Sequence, residues 1–145
     1  MPVSEILNLS GQTGYRRLEE KALFKTFDEH DSYCIETGGS IVSEMKGLNL
    51  LLTSCLVIWV KTSPEEYMNR VVKQGDLRPM QDNTDAMEDL RAILVERTPY
   101  YEQAHITIET SGKSVEESYD ELLALIQEWH ETHTTQKTPR KKENS

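Results

Sequence analysis

One arginine and one glutamate near the start of this sequence have the spacing needed to hold an anion. Arg16 and Glu19, in GQTGYRRLEEKAL, stand three residues apart on one face of a predicted helix. The carboxylate can therefore hold the guanidinium and aim it at a ligand. Charge pairs with this spacing are also common on solvated helix surfaces, so both interpretations stay open.

Arg97 is a second candidate, because it continues the apolar stripe of a predicted helix over about residues 84 to 97. The stripe is formed by Met87, Leu90 and Leu94. An arginine that points inward needs an anionic partner or a cleft, although its stem can also lie along the edge of the core. Two arginines from separate helices that face one cavity suit a carboxylate ligand.

A third candidate is the turn in IETGGSIVSE, where Gly38 and Gly39 precede Ser40. The turn lies between a predicted strand and a predicted helix, which is where open α/β sheets bind ligands. Glycines there expose backbone N–H groups and leave room for a ligand to approach. A Gly-Gly pair is equally typical of a tight turn without a ligand.

The segment QGDLRPMQDNTD, residues 74 to 85, has no hydrophobic period and is predicted to be a loop. Long loops of this kind often carry function. Arg78 in this loop can close over a phosphate or another anion. The alternative is an ordinary turn arginine that precedes Pro79.

Strand-like and helix-like segments alternate in the way expected of a parallel sheet with helical crossovers, which predicts an α/β fold. Capping boxes predict helices that begin after Ser63, with Glu66, and after Ser114, with Glu117. Further helices are predicted at 14 to 29, with Tyr15, Leu18, Ala22 and Leu23 on one side, and at about 43 to 53. Strands are predicted at 33 to 37, at 56 to 60, where LVIWV is typical of a strand covered on both faces, and at 105 to 110.

Composition limits the possible function. The 145 residues are 37% hydrophobic, which suits one domain over residues 1 to 133, followed by a disordered polar tail at 134 to 145. A net charge of -9 argues against binding of nucleic acid. Cys34 and Cys55 lie in apolar runs and are predicted to be buried, reduced thiols, which indicates the cytoplasm. We expect neither a membrane span nor a metal site.

Five segments, taken in order, resemble the shikimate kinase family of P-loop, nucleoside-monophosphate-kinase-like folds over residues 3 to 129. They are VSEILNLSGQTGYRRLEEKAL, IETGGSIVSE, LVIWVKTSPEEYMNRV, GDLRPM and ERTPYYEQAHITIET. The resemblance implies a three-layer α/β/α fold with a parallel sheet. It also implies that Arg16 and Arg97 bind the substrate carboxylate, and that Glu19 orients Arg16.

The same resemblance assigns two further parts of the chain. Gly38 and Gly39 match the triple-glycine turn that lines the shikimate site in this family. Arg78 matches the arginine of the lid that closes over the transferring phosphate.

The first departure from the family is an absence, because no G-x-x-x-x-G-K-[ST] occurs in the chain. Without that loop, phosphoryl transfer from ATP should fail, so we expect the chain alone to be inactive and to bind no cofactor. The resemblance implies a truncated sequence that lacks the first strand, the P-loop, the first helix, the second strand and an acidic substrate-binding residue. ATP and Mg²⁺ are expected only if that part is restored.

The second departure is Ser40, which stands where the family has its third glycine. With the loop sequence after residue 74, it resembles the kinase-like C-terminal domain of bacterial regulators that join a helix-turn-helix domain to a sensor of benzoyl-CoA. We therefore expect a sensor of a small aromatic or cyclic carboxylate, or its CoA thioester. The alternative is a truncated shikimate kinase, which phosphorylates the shikimate 3-hydroxyl with ATP. An independent protein with no ligand is a third hypothesis.

Overall fold

The computed structural model describes residues 2–75 and 85–134. Its main elements are α1 (Val3–Glu29), α2 (Met45–Ser54), β1 (Ile58–Lys61), α3 (Pro64–Lys73), α4 (Ala86–Tyr101), β2 (Ile106–Glu109) and α5 (Val115–Thr134). The chain divides into two compact units, unit 1 at residues 1–47 and unit 2 at residues 48–145. None of the described helices has the length and apolar content that a membrane span requires.

Unit 1 is dominated by α1, which is longer than the predicted helix at 14 to 29. Gly11 interrupts it with φ 65° and ψ -171°, a conformation open to glycine but strained for other residues. Leu23 is the residue that α1 buries, whereas Leu18 is 49% exposed and Ala22 is also exposed. The prediction of a continuous apolar side on this helix is therefore wrong at Leu18 and Ala22.

The strand predicted at 33 to 37 is not formed, because this segment has no regular secondary structure and pairs with no strand among the described residues. An extended segment becomes a strand only through ladder hydrogen bonds to a neighbour. Cys34 in this segment is exposed, so the prediction that it is buried is wrong, and Cys55 is half-buried; neither forms a disulfide. A 3₁₀-helix at Gly39–Ser43 follows and buries Ile41 and Val42.

Unit 2 contains a parallel pair of strands, in which Ile58 of β1 is in register with Ile106 of β2. Both correspond to predicted strands, although each is shorter. Side chains of β2 alternate, with Ile106 and Ile108 buried. Since parallel neighbours need a crossover connection, the two helices between them in the chain fit this topology. The predicted α/β class with a parallel sheet is confirmed.

β1 has a strand partner along one edge only, because the sheet of the described residues has two strands. Val60 is 59% exposed, so the prediction that this strand is covered on both faces is wrong for this residue. The resemblance places a further strand of the family beside it. That part of the hypothesis stays a prediction.

Two helices of unit 2, α3 and α5, begin where their capping residues predict. The Ser63 hydroxyl accepts a hydrogen bond from the Glu66 N–H at 3.2 Å, with Pro64 in the first turn of α3. The α4 stripe of Met87, Leu90, Leu94 and Arg97 is half-buried, as expected. Residues 76–84, which include Arg78, and the tail beyond Thr134 lie outside the described residues.

Candidate functional site

The predicted pair of Arg16 and Glu19 forms in unit 1. A guanidinium nitrogen of Arg16 donates to a Glu19 carboxylate oxygen at 2.8 Å, and the side chains are only 10% and 15% exposed. Solvated decoration leaves side chains far more open than this, as Lys25 and Glu29 show at 70% and 53%. The Arg16 guanidinium is therefore held in a fixed direction, and its remaining N–H groups can donate to a ligand.

A small pocket includes this pair, and it is lined by Arg16, Glu19, Glu20, Leu23, Ile41, Glu44 and Gly47. The glutamates that line this pocket outnumber its one arginine. The Lys46 ammonium offsets the charge of Glu20, with which it forms an ion pair at 2.7 Å. Arg16 alone, already paired with Glu19, is a weak site for a carboxylate. A second cation is needed if this part of the molecule binds an organic anion.

Tyr15 lies beside the pair and was predicted only as part of an apolar helix face. Its ring is 5.3 Å from the Arg16 guanidinium carbon. Burial raises the pKa of the Tyr15 phenol, and the charge and hydrogen bonding of Glu19 act in the same direction. The phenol is thus a neutral hydroxyl next to the pair. A tyrosine directly before the arginine was the signal that could have found it.

The glycine turn reaches the same side of unit 1. Gly38 has φ -63° and ψ 147°, which any residue can adopt. A Cβ atom added there would be 3.9 Å from the Tyr15 hydroxyl oxygen and 4.0 Å from the Ser40 hydroxyl oxygen. The fold therefore does not require glycine at this position, and the open space above it is available to a ligand.

Arg97 of α4, in unit 2, is half-buried and makes no hydrogen bond or ion pair with any residue in the described ranges. Arg91 of the same helix differs, since it forms a short ion pair with Glu65 of α3. A half-buried guanidinium without an anionic partner is available to bind one. The prediction that Arg97 and Arg16 face a single cavity stays a prediction.

A hydrogen-bond network that the sequence did not predict lies at the carboxyl ends of β1 and β2. Ser111 Oγ accepts from the Ser63 N–H at 2.7 Å, and a Glu66 carboxylate oxygen accepts from the Gly112 N–H at 2.6 Å. Glu66 was expected to bond back to Ser63 within its own capping box. Instead, Ser111 of the loop after β2 accepts from the Ser63 N–H, and Gly112 of the same loop donates to Glu66. These hydrogen bonds link the loop to the start of α3. The S-x-x-E pattern predicted the helix cap but not its distant partner.

Gly112, Lys113 and Ser114 form a G-K-S tripeptide between a strand and a helix, as in a phosphate-binding loop. Position 107 is occupied by threonine rather than by the first glycine of that motif. The Lys113 ammonium donates to the Glu109 carbonyl oxygen at 2.8 Å and pairs with Glu121 at 2.7 Å. The tripeptide is therefore not a nucleotide cradle. Within residues 2–75 and 85–134, no acidic, histidine or cysteine side chains group as metal ligands do.

A family model described as shikimate kinase matches residues 1–127. A shikimate kinase of Synechococcus sp. (strain CC9605) is 32% identical over 124 residues, which are 86% of this chain and 61% of the relative. A shikimate kinase of Caldanaerobacter subterraneus subsp. tengcongensis is 32% identical over 123 residues, 85% of this chain and 71% of the relative.

The fold also matches a solved structure, that of a shikimate kinase from Acinetobacter baumannii in complex with shikimate. The TM-score is 0.70 at 25% identity, over 85% of this chain and 68% of that one. The chain thus spans 61% to 71% of the length of these proteins. These matches fit the kinase hypothesis better than the sensor hypothesis, and none of the proteins named here is a transcriptional regulator.

Proposed function

Because the chain belongs to the shikimate kinase family, we propose that it supplies the carboxylate-binding part of a kinase that phosphorylates the 3-hydroxyl of shikimate. The observation that carries the proposal is the Arg16 guanidinium, held by Glu19 at 2.8 Å in a nearly buried pair. Such a pair positions a bidentate donor for a ligand carboxylate. The solved structure of a relative, the Acinetobacter enzyme, is a complex with shikimate, which supports this choice of ligand.

Arg97 is the second carboxylate-binding residue in this proposal. Glu19 offsets the charge of Arg16, whereas Arg97 has no acidic partner among the described residues. A carboxylate that leaves water gains more from an uncompensated guanidinium than from one already paired. Arg97 is therefore a cation that is available to a carboxylate, which is the role that the resemblance implies for it.

Phosphoryl transfer needs a part that this chain does not provide. The residues present do not fit a nucleotide, since the phosphate-loop pattern is absent and Lys113 is engaged by Glu121. We assign no step of the transfer to these residues. ATP and Mg²⁺ belong to a segment with a phosphate-binding loop, and the chain by itself is proposed to bind the acceptor without catalysis.

The test uses a joined protein, in which the phosphate-loop segment of the Caldanaerobacter relative precedes Met1. We expect it to bind shikimate in calorimetry and to form ADP from ATP when shikimate is present. Arg16→Ala and Arg97→Ala should each weaken shikimate binding by about 10- to 150-fold, the equivalent of about 1.5 to 3 kcal/mol for a charge-assisted bond.

Arg17→Ala is the matched control, because Arg17 is the exposed neighbour of Arg16. It removes the same charge from the same helix and should leave shikimate affinity within about twofold. Losses below about threefold for both Arg16→Ala and Arg97→Ala would show that the carboxylate site is wrongly assigned.

The sensor hypothesis is tested in the same titrations, with benzoyl-CoA as the probe. It rests on Ser40 and on the loop after residue 74, and the comparisons do not add to it. A joined protein that binds benzoyl-CoA tightly, and neither binds shikimate nor turns over ATP, would replace the kinase proposal. Binding of shikimate with turnover of ATP would exclude the sensor.

A further inference from the structure

Two hydroxyl groups flank the open space above Gly38. A Cβ atom built on the Gly38 backbone would be 3.9 Å from the Tyr15 hydroxyl oxygen and 4.0 Å from the Ser40 hydroxyl oxygen. A ligand oxygen about 1 Å closer to either group is at hydrogen-bond distance from it. Tyr15 and Ser40 are both half-buried, so an apolar ligand there leaves polar groups partly desolvated.

The Tyr15 phenol lies near the carboxylate that also holds Arg16. Glu19 pairs with Arg16 at 2.8 Å, and its charge and hydrogen bonding act on the Tyr15 phenol. The Tyr15 ring lies against the guanidinium at 5.3 Å. One side of unit 1 thus carries a guanidinium held by Glu19 and a neutral hydroxyl group beside it.

We propose that Tyr15 and Ser40 form a specificity-determining hydroxyl pair, which binds a ring hydroxyl of the ligand whose carboxylate is bound by Arg16. This inference rests on the proposed function and deepens it. The ligand class is a hydroxylated cyclic carboxylate. A site with polar groups placed for a ligand hydroxyl rejects an analogue without that hydroxyl, because those groups then stay unpaired.

Two probes with the same carboxylate separate this subsite from the arginine site. Shikimate carries ring hydroxyls, and 1-cyclohexene-1-carboxylate has the same ring and carboxylate without them. Both are titrated by calorimetry into the 145-residue chain and into the joined protein. The unmodified protein should prefer shikimate by at least about tenfold.

Tyr15→Phe and Ser40→Ala remove one hydroxyl each and keep the remaining side chain. Each should weaken shikimate binding by about five- to tenfold and leave 1-cyclohexene-1-carboxylate within about twofold. Tyr119→Phe and Ser54→Ala are the matched controls, since both residues are exposed and lie in unit 2. The controls should change neither affinity.

Three outcomes overturn the hydroxyl pair. If Tyr15→Phe weakens both probes equally, Tyr15 acts only through Glu19 and Arg16. If neither variant changes the preference for shikimate, the two hydroxyls do not contact the ligand. If the unmodified protein binds neither probe, both the proposed function and the hydroxyl pair are wrong. The first two outcomes leave the proposed function intact, provided that Arg16→Ala still weakens both probes.

Discussion

The guanidinium of Arg70 donates to the Thr110 hydroxyl at 3.1 Å and to the Thr110 carbonyl oxygen at 3.3 Å. The Thr110 hydroxyl in turn donates to the Lys61 carbonyl oxygen at 2.9 Å. Thr110 is the buried polar residue of the described chain, at 6% exposure. One arginine of α3 thus ties together the ends of both strands, where open parallel sheets bind their ligands.

Removal of either member of this contact should lower stability. We expect Arg70→Ala and Thr110→Val each to reduce the free energy of unfolding by about 1 kcal/mol, because each removes hydrogen bonds from a buried or half-buried group. The double variant should cost less than the sum, since the two groups share one interaction. Urea denaturation measures all three. Lys73→Ala, at an exposed position of the same helix, is the control, and strict additivity would contradict the coupling.

The two capping glutamates should differ in their contribution to stability. Glu117 bonds back to its own Ser114 N–H at 3.3 Å, whereas Glu66 reaches the Gly112 N–H and also binds Arg70 at 3.1 Å. Glu66→Ala should therefore destabilise the protein by about 1 kcal/mol more than Glu117→Ala. The comparison uses chemical denaturation of the two variants. Equal losses would mean that the contacts of Glu66 outside its own helix contribute nothing.

The carboxylate of Glu109 should respond to a change at Ser111. The Ser111 hydroxyl donates to it at 2.6 Å, and this bond is the main cause that lowers the pKa of Glu109 below 4.5. Its stabilising effect is full above pH 4.5 and is lost as the pH falls through the lowered value. Ser111→Ala should raise the pKa of Glu109 towards 4.5 in a carboxyl ¹³C NMR titration. Ser54→Ala should leave it unchanged, and an unchanged pKa in Ser111→Ala would contradict the assignment.

Substitution of Gly112 should lower stability, whereas substitution of Gly38 should weaken ligand binding. Gly112 has φ 71°, so Gly112→Ala should cost about 1 kcal/mol of stability. Gly38 has φ -63° and room for a methyl group, so Gly38→Ala should change stability by less than about 0.5 kcal/mol. The added methyl fills the space proposed for the ligand, and shikimate affinity of the joined protein should fall about tenfold or more. Thermal melts and calorimetry test the two effects, and unchanged affinity would show that no ligand occupies the space above Gly38.

Much of the fold was predictable from local chemistry. Ser63 with Pro64 and Glu66 specifies the start of α3, because these side chains act within one helical turn. The pair of Arg16 and Glu19 was predictable for the same reason, since three residues of helix fix its distance. The strand at 33 to 37 was not, because a strand also depends on a neighbour that is distant in sequence.

Local patterns in the sequence were enough to predict the α/β class, the starts of α3 and α5 and the candidate arginines, because these follow from hydrophobic period and short-range capping. Packing of the elements places Arg16 in a nearly buried position, brings Tyr15 close to Gly38, and makes Glu66 accept from the Gly112 N–H rather than from its own cap. These contacts join residues up to 46 positions apart in the sequence. Burial and long-range hydrogen bonds depend on how the elements pack, and no local pattern of residues encodes that.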